Sequence, residues 1–202
     1  MRTTPAFAYR DSGLDSARLP AVAFSSDLDQ ITRAAAGDAA AVRALVHRYS
    51  PGVLALATRM LRDTAEAEDV TQETFIRAWK ALPGWEPRAK FSTWLHRVAL
   101  NLCYDHLRKR REVLPDELPD NPDPGPGPME QLDQTQRVTA VETAIARLPE
   151  RQSAALTLCA LQGHSQAEAA EILEISVEAL ESLLARARRT LRAELLARQG
   201  EA

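Results

Sequence analysis

Apolar residues recur every three to four positions along most of the chain, which is the spacing of one face of an α-helix. The sequence lacks the alternation of apolar and polar residues, enriched in β-branched side chains, that is typical of strands. Helix caps and the Gly and Pro stop signals divide the helical pattern into segments. We predict an all-α fold with helices near residues 27–36, 39–61 with a break at Pro51, 65–82, 92–110, 132–147, 150–161, 165–173 and 177–198.

A proline-rich segment separates these helices into two groups. Six of the twelve prolines lie between residues 112 and 134, and proline disfavours both helix and central strand because it lacks the backbone N–H. We therefore predict a flexible, acidic, Pro-rich linker at 112–133. The linker joins two small helical domains, 26–111 and 134–198, and residues 1–25 are expected to form a disordered N-terminal tail.

The formal net charge of −3 conceals an uneven distribution of charge. Residues 88–111 hold seven Lys and Arg and a single acid, whereas residues 112–136 hold seven acids and no Lys or Arg. Residues 186–198 are basic again. Two basic blocks on either side of an acidic segment are compatible with a nucleic-acid partner despite the negative total.

The sequence argues against a membrane protein, a secreted protein and an enzyme. No apolar run approaches the roughly 20 residues that cross a bilayer, and residues 1–24 lack the apolar core of a secretory signal, so we expect a cytoplasmic protein. Cys103 and Cys159 stand alone and indicate core thiols. The four histidines are dispersed and there is no Gly-rich phosphate loop. We expect no cofactor, no metal and no small-molecule substrate.

Residues 66–79 form an amphipathic helix with one free face. Asp69 and Glu73 fall on the side opposite the apolar one, with Gln72 and Ile76 along its margin. Periodicity alone favours a solvated face on which Glu73 pairs with Arg77 at i,i+4.

Residues 91–108 form a second amphipathic helix. Its outward face carries Arg97, Asn101, Tyr104, Asp105 and Arg108. Such cations, amides and phenols contact phosphates, bond to base edges or stack on bases. A charged surface helix is the simpler alternative, and Phe91 and Trp94 are typical of core packing.

The C-terminal segment has a helix-turn-helix pattern. Ser165 and Glu168 have the spacing of a capping box, and Ser176 is placed to cap a longer basic helix. A helix, a short turn and a longer helix are the parts of this motif. The outward residues of the last helix include Glu178, Glu181, Ser182, Arg186, Arg188 and Arg189. Its arginines suit DNA phosphates, and they equally suit the negative end of the helix dipole.

Two parts of the chain resemble the extracytoplasmic-function (ECF) sigma factors of the sigma-70 family. Residues 66–79 (EAEDVTQETFIRAW), the FSTWL segment at 91–95 and the basic residues 108–111 are similar to the second conserved domain of that family. Residues 148–188, which begin LPERQ, are similar to its fourth domain. The match covers most of the chain outside the tail and the linker.

The resemblance implies a non-enzymatic factor that gives RNA polymerase its promoter specificity, acts in a stress or envelope response and is held by an anti-sigma factor. It implies contacts with the clamp and flap regions of core polymerase, the former through Asp69, Gln72, Glu73 and Ile76. It implies that the −10 promoter element is opened and bound by Trp85, Arg88, Lys90, Arg97, Asn101, Tyr104, Asp105 and Arg108. It implies that the −35 element is bound by Ser176, Glu178, Glu181, Ser182, Arg186, Arg188 and Arg189.

The start of the last helix departs from the family pattern. Where the family often has Gly-Thr-Val-Lys-Ser-Arg, residues 178–183 are Glu-Ala-Leu-Glu-Ser-Leu. Two commonly basic positions are thus occupied by Glu181 and Leu183, which leaves the −35 sequence preference open.

A stand-alone helix-turn-helix repressor or activator is the alternative function, because the C-terminal domain alone would fit it. Such a protein is expected to dimerise and to bind a palindromic duplex without polymerase. A gel shift with and without core polymerase distinguishes the two classes.

Overall fold

The computed structural model describes residues 21–85, 89–113, 144–145 and 147–200, with side chains described for 27–85, 89–112, 144–145 and 147–196. Every element in these ranges is helical, which confirms the predicted fold class. The first group comprises α1 (Ala21–Ala35), α2 (Ala39–Leu61), α3 (Thr64–Ala81), a 3₁₀ turn (Leu82–Gly84) and α4 (Phe91–Val113). The second comprises α5 (Glu150–Leu156), a π-helical turn (Thr157–Leu161), α6 (Gln166–Leu173) and α7 (Val177–Gly200). None of these helices is both long and apolar enough to cross a membrane.

The observed helix ends differ from the predicted ones at the edges of the two groups. α1 begins at Ala21, so residues 21–25 are helical rather than part of the tail, because no Gly or Pro follows Pro20 to stop the helix. α4 extends to Val113, beyond the predicted start of the linker. Most of the predicted tail, linker and helix 132–147 lies outside the described residues. Within that last segment, Ala144 and Ile145 are helical and Arg147 lies in a turn.

Pro51 does not break α2, contrary to the prediction. A proline inside a helix costs about 3 kcal/mol, because one backbone hydrogen bond is lost and the ring crowds the preceding turn. The next turn of α2 places Val53, Leu56 and Ala57 in the core with no exposed surface. Burying the Val and Leu side chains contributes roughly 1.5–3 kcal/mol each, which is enough to keep α2 continuous.

Local capping signals fix the ends of the helices in the first group. Gly37 has φ +88°, in the left-handed region that favours glycine, and ends the turn after α1. The Asp38 carboxylate then accepts hydrogen bonds from the backbone N–H groups of Ala40 and Ala41, at 2.8 and 3.2 Å. Asp63 caps α3 in the same way through Glu66 N, at 3.0 Å.

The second group contains the predicted helix-turn-helix. The capping box is present, since Ser165 Oγ accepts a hydrogen bond from Glu168 N and the Glu168 carboxylate accepts one from Ser165 N. α6 ends at Glu174, which has the left-handed φ of 55°. Ser176 then caps α7, because its Oγ accepts a hydrogen bond from Ala179 N at 3.2 Å. Both predicted caps are confirmed.

One buried cluster extends through both groups of helices. α2 packs against α1, α3, α4 and α5, while α6 packs against α4 and α7. The cluster includes Leu45, Leu56 and Leu95 of the first group and Leu158 and Ile172 of the second. Cys103 is fully buried within it, as expected of a core thiol, and burial raises the pKa of that thiol to about 12. Cys159, predicted to be a core thiol as well, is only half-buried against the edge of the cluster.

We predict that Leu95→Ala lowers the free energy of unfolding by about 2–5 kcal/mol, because a fully buried leucine on α4 leaves a cavity when truncated. Urea unfolding followed by circular dichroism measures the change. Leu196→Ala is the matched control, since Leu196 is 60% exposed on α7 and its loss should change stability by less than about 0.5 kcal/mol. Equal effects of the two substitutions would contradict this description of the core.

Candidate nucleic-acid and protein interfaces

The predicted polymerase-contacting residues lie together on the exposed side of α3. We call Asp69, Gln72, Glu73 and Ile76 the α3 face. Asp69 and Gln72 are exposed, and Ile76 is an exposed large hydrophobic residue at 44%. Glu73 accepts a hydrogen bond from Arg77 Nε at 2.8 Å, which confirms the predicted i,i+4 pair, and this bond lowers the pKa of the Glu73 carboxyl. An exposed aliphatic side chain beside acids and an amide suits contact with a protein better than contact with phosphates.

The opposite side of α3 anchors that face to the core. Val70 and Ala78 have almost no exposed surface. Thr74 is also fully buried, and its hydroxyl donates to the Val70 carbonyl at 2.7 Å, so that no polar group of this turn is left without a partner. The α3 face is therefore carried by a firmly packed helix.

Most of the predicted −10 residues line α4 and the segment before it. We call Trp85, Lys90, Arg97, Asn101, Tyr104, Asp105 and Arg108 the α4 face; the predicted Arg88 lies outside the described residues. Asn101 and Arg108 are exposed, and Arg108 pairs with Asp105 at 2.8 Å. Tyr104 is half-buried, and burial raises its pKa to about 12. The phenol therefore stays neutral at physiological pH.

Aromatic rings hold the start of the α4 face in place. Phe91 is buried and lies edge-on to Tyr49 and Trp85, with ring centroids 5.5 and 5.6 Å apart. It is stacked on Trp94 at 6.0 Å. Phe91 and Trp94 thus pack as the sequence indicated. Beside the half-buried Trp85 lies a cavity of about 200 Å³ lined by Asp27, Leu28, Ile31, Trp85, Lys90, Phe91 and Ser92.

Two cations of the α4 face are engaged by α6. Lys90 Nζ lies 2.5 Å from Glu168 Oε1. Arg97 donates from Nη2 to the Glu171 carbonyl oxygen at 2.7 Å, and its Nη1 is 3.5 Å from the Glu174 carboxylate. The Arg97 side chain is only 16% exposed as a result. We call this set of contacts the α4–α6 contact.

The Glu168 carboxyl of that contact is held strongly acidic. Partial burial raises its pKa, but the hydrogen bonds from Lys90 and from both donors of Ser165 more than compensate and bring the pKa to about 2. The carboxylate therefore stays charged at any physiological pH, and it serves the cap of α6 and the ion pair with Lys90 together.

Further polar contacts join the two groups of helices beside the α4–α6 contact. The rings of His96 and His164 meet edge-on with centroids 4.9 Å apart. Gln162 Nε2 donates to the Gly52 carbonyl at 2.7 Å, and Arg111 lies 3.4 Å from Glu150. The four dispersed histidines of the sequence thus include one pair that the fold brings together.

Several polar atoms in this region are buried without a hydrogen-bond partner among the described residues. They are His96 Nε2, Arg97 Nε, Tyr104 Oη, Gln152 Oε1, Thr157 Oγ1 and Gln162 Oε1. A buried polar atom left in this state costs about 1–3 kcal/mol. The interface between the two groups of helices is consequently less favourable than an apolar interface of the same extent.

The predicted −35 residues form the outward side of α7. We call Ser176, Glu178, Glu181, Ser182, Arg186, Arg188 and Arg189 the α7 face, and all seven are exposed. Two of the hydroxyls also serve the helix, since Ser176 caps it and Ser182 Oγ donates to the Glu178 carbonyl at 3.0 Å. The three arginines and Glu181 make no ion pair with the residues described.

The half-buried Leu183 packs against the core and is not part of the α7 face. Leu180, Leu184 and Ala187 are buried beside it, as the periodicity predicts. The apolar residue at a commonly basic position is thus explained by packing.

Two family models match the chain. Residues 45–113, which hold the α3 and α4 faces, match Sigma-70 region 2. Residues 139–191, which hold the helix-turn-helix, match Sigma-70, region 4.

Three relatives agree with these matches. "Probable RNA polymerase sigma factor RfaY" of Xanthomonas campestris is 35% identical over 84% of this chain, and the "ECF RNA polymerase sigma factor SigE" of Mycolicibacterium smegmatis is 34% identical over 78%. The chain spans 44% and 64% of the lengths of these two proteins. The RNA polymerase sigma factor CnrH of Cupriavidus metallidurans is 34% identical over 84% of this chain and 95% of its own length. The chain belongs to the ECF sigma factors.

The fold of this sigma factor matches a solved structure of the same relative. CnrH in complex with the cytosolic domain of CnrY superimposes with a TM-score of 0.66 at 30% identity, over 85% of this chain and 98% of CnrH. The family resemblance inferred from the sequence is confirmed. This family consists of transcription initiation factors, which are not enzymes.

Sequence reasoning missed the residues of this sigma factor that face α4 from α6. Glu168 was identified only as a capping residue, and Glu171 and Glu174 were not identified at all. Glu168 and Glu171 are three residues apart and share one side of α6, and Glu174 follows directly after its end. These closely spaced acids were the available signal, although Arg97 bonds to the main-chain carbonyl of Glu171, which side-chain spacing does not encode. The position of that side against Arg97 depends on tertiary packing that periodicity does not encode.

We predict that the stability of this sigma factor falls as the pH is lowered from 7 to 5, because of His96. Its Nδ1 bonds to the Ser92 carbonyl at 2.8 Å and therefore carries the proton, so that buried Nε2 is the site of protonation. Burial lowers the pKa of His96 to about 4, whereas the unfolded value is about 6.5. Neutral His96 contributes fully to the free energy of unfolding above about pH 6.5. This contribution is lost as the pH falls toward 4, because the unfolded chain takes up the proton first.

Urea midpoints measured between pH 7.5 and 4.5 test this assignment. His96→Gln should make the midpoint depend less on pH, whereas His47→Gln, which removes an exposed histidine of α2, should leave the dependence unchanged. An identical pH dependence in both variants would show that His96 is not responsible.

Proposed function

We propose that this protein is the promoter-specificity subunit of a bacterial RNA polymerase, with the α3 face on core polymerase, the α4 face on the −10 element and the α7 face on the −35 element. The observation that carries the proposal is the presence of three chemically different faces within the two sigma regions. An acidic and apolar face suits a protein, a face of cations, amide and phenol suits unpaired bases, and a basic helix-turn-helix suits duplex DNA. The division into two helical domains on either side of the linker belongs to this proposal.

We predict that the triple variant Asp69→Ala, Gln72→Ala, Glu73→Ala loses most of its binding to core polymerase and remains folded. The three side chains are on the solvent side of α3, so their removal does not disturb Val70, Thr74 or Ala78. Binding of the labelled protein to core polymerase is measured by titration in solution, and thermal unfolding checks the fold.

The matched control is Asp29→Ala, which also removes an exposed acid but lies on α1. It should bind core polymerase like the unmodified protein. Normal assembly of the triple variant would refute the assignment of this face.

The α4 face is suited to melted promoter DNA. Asn101 offers an exposed donor and acceptor at the middle of α4, whereas the Tyr104 hydroxyl is buried in this structure. Lys90 and Arg97 supply positive charge toward the start of α4. Single-stranded nucleic acid is held by positively charged grooves and by aromatic surfaces on which bases stack. The cavity beside Trp85 is lined in part by the aromatic rings of Trp85 and Phe91, and an unstacked base is held by stacking on such rings.

The α7 face is suited to the major groove. Its N-terminal turns carry Glu178, Glu181 and Ser182, and the arginines follow one to three turns later. In helix-turn-helix proteins the N-terminal residues of the second helix contact base edges. A carboxylate there accepts a hydrogen bond from cytosine N4, and a good direct contact discriminates by about 1–3 kcal/mol. The simpler role for Glu181 is a favourable charge near the N-terminus of α7.

We predict that Glu181→Ala relaxes the preference for one cytosine of the −35 element and that Arg188→Ala weakens all promoters alike, lowering the salt slope by about 1. The reason is that a carboxylate reads a base, whereas an exposed arginine binds phosphate. Selection from a promoter library randomised across the −35 element, with polymerase assembled from each variant, measures both effects. Unchanged selected sequences for Glu181→Ala would reduce this residue to a charge at the helix end.

The remaining partners and the location follow from the same proposal. The solved relative CnrH is bound to the cytosolic domain of CnrY, and we propose that an anti-sigma factor likewise holds this chain until a stress or envelope signal arrives. Core polymerase and promoter DNA are cytoplasmic, so we propose that location as well. The proposal requires no cofactor or metal. The stand-alone helix-turn-helix regulator does not account for sigma region 2 at residues 45–113.

A further inference from the structure

Two arginines from different helices lie side by side where α2 and α4 end. Arg62 follows directly after α2, and Arg110 lies in the last turn of α4. The fold brings them together, because Arg110 Nη1 lies 3.5 Å from the carbonyl oxygen of Leu61, the residue before Arg62. Both arginines are exposed, and neither belongs to the α3, α4 or α7 face. We call Arg62 and Arg110 the arginine pair.

The arginine pair differs from the neighbouring cations of α4 in its partners. Arg108 pairs with Asp105 at 2.8 Å, and Arg111 lies 3.4 Å from Glu150. Neither member of the arginine pair forms an ion pair with another of the residues that the structure describes. Two positive charges are thus held next to each other without an acid between them.

The backbone at Arg62 is unfavourable for an arginine as well. Its φ of 58° lies in the left-handed region, where a Cβ is disfavoured and where glycine is the usual residue after a helix. Partial removal of the side chain from water and the positive charge of Arg110 lower the pKa of Arg62. Glycine at residue 62 would remove both the backbone strain and the repulsion. The stability of the free chain therefore does not explain this side chain.

A favourable charge at the negative end of α2 is the simpler role for these arginines, because the last carbonyls of a helix attract cations. Arg110 already fills that role through its approach to the Leu61 carbonyl. A second cation at the same place adds repulsion. The simpler role thus accounts for Arg110 but not for Arg62.

An anion with several oxygens would relieve the repulsion within the arginine pair. Guanidinium groups match phosphate in geometry, since each offers parallel N–H donors to two oxygens. Lys109 is exposed in the same turn of α4 and adds to the positive potential. The site is therefore suited to one phosphate group that contacts the ends of both helices.

We propose that the arginine pair is a phosphate-binding site for the backbone of duplex promoter DNA, separate from the α4 and α7 faces. This inference rests on the proposed function, which supplies promoter DNA as the ligand. Contacts with phosphates fix the position of a protein on a duplex and carry no sequence information. The arginine pair adds affinity at a place where no base is read.

The test measures DNA binding by the free protein. The probe is a fluorescein-labelled DNA duplex of about 20 base pairs and random sequence, followed by fluorescence anisotropy at several salt concentrations. Arg62→Gly and Arg110→Gln should each weaken binding. Each should lower the slope of log affinity against log salt concentration by about 1, because one phosphate contact is lost.

A charge-matched control is Arg43→Gln. It removes an exposed arginine near the opposite end of α2, about 28 Å along the helix from Arg62. Its salt slope should equal that of the unmodified protein. An equal fall in the control and in the variants of the arginine pair would overturn the inference, because the effect would then be that of net charge alone.

Urea unfolding separates the two roles of Arg62. Arg62→Gly should raise the urea midpoint while it weakens DNA binding, since glycine fits the left-handed backbone and no longer repels Arg110. An arginine that only stabilises the end of α2 would give a lower midpoint on substitution and an unchanged salt slope, which would overturn the inference.

Unchanged salt slopes in both Arg62→Gly and Arg110→Gln would overturn the inference, as would a lack of duplex binding by the unmodified protein at the lowest salt concentration. Failure of the proposed function is recognised separately, by run-off transcription of genomic DNA. Core polymerase with this chain would then give no transcripts beyond those of core polymerase alone. That result together with lowered salt slopes would leave the arginine pair as a DNA-binding site and reject only its promoter role.

Discussion

The guanidinium of Arg97 is the point on which the arrangement of this protein depends. It is carried by α4 of the first group of helices and donates to the Glu171 carbonyl near the C-terminus of α6, in the second group. A cation is favourable there because the C-terminal carbonyls of a helix carry partial negative charge. The Glu174 carboxylate, one residue beyond the end of α6, supplies the opposite charge on the same cation. This contact fixes how the helix-turn-helix lies against α4.

The same contact involves a residue of the proposed −10 interface. A guanidinium that binds a carbonyl and a carboxylate in the free chain uses the donors that would bind a phosphate in DNA. Apolar packing between the two groups of helices stabilises the arrangement seen in the structure. The unpaired polar atoms around Arg97 reduce that stabilisation. The contact between the two groups of helices therefore combines apolar packing with buried polar atoms that lack a partner among the described residues.

Features specified by neighbouring residues were predictable from the sequence. The caps at Ser165 and Ser176, the helix stop at Gly37 and the Glu73–Arg77 pair each depend on residues within one or two helical turns, and each is present in the structure. The family motifs identified the two regions for a similar reason, because each motif consists of residues that are close together in the sequence.

Features that depend on distant residues were not predictable in this way. The continuity of α2 through Pro51 results from packing against other helices, which the local rule for proline does not include. The pairing of His96 with His164 brings together residues far apart in sequence. The covering of Lys90 and Arg97 is of the same kind. The sequence indicated their charge and their face, but not that an acidic side of α6 lies against them.

The distance between the two groups of helices in solution tests this account most directly. Spin labels at Arg59→Cys on α2 and Ala185→Cys on α7, both exposed positions, in a Cys159→Ser background report that distance by pulsed electron paramagnetic resonance. We expect one narrow distribution for the unmodified protein, at the separation given by the structure, and a broader one for the Arg97→Gln variant. The same narrow distribution for both proteins would contradict the central role of Arg97, because the position of α6 would then not depend on its guanidinium.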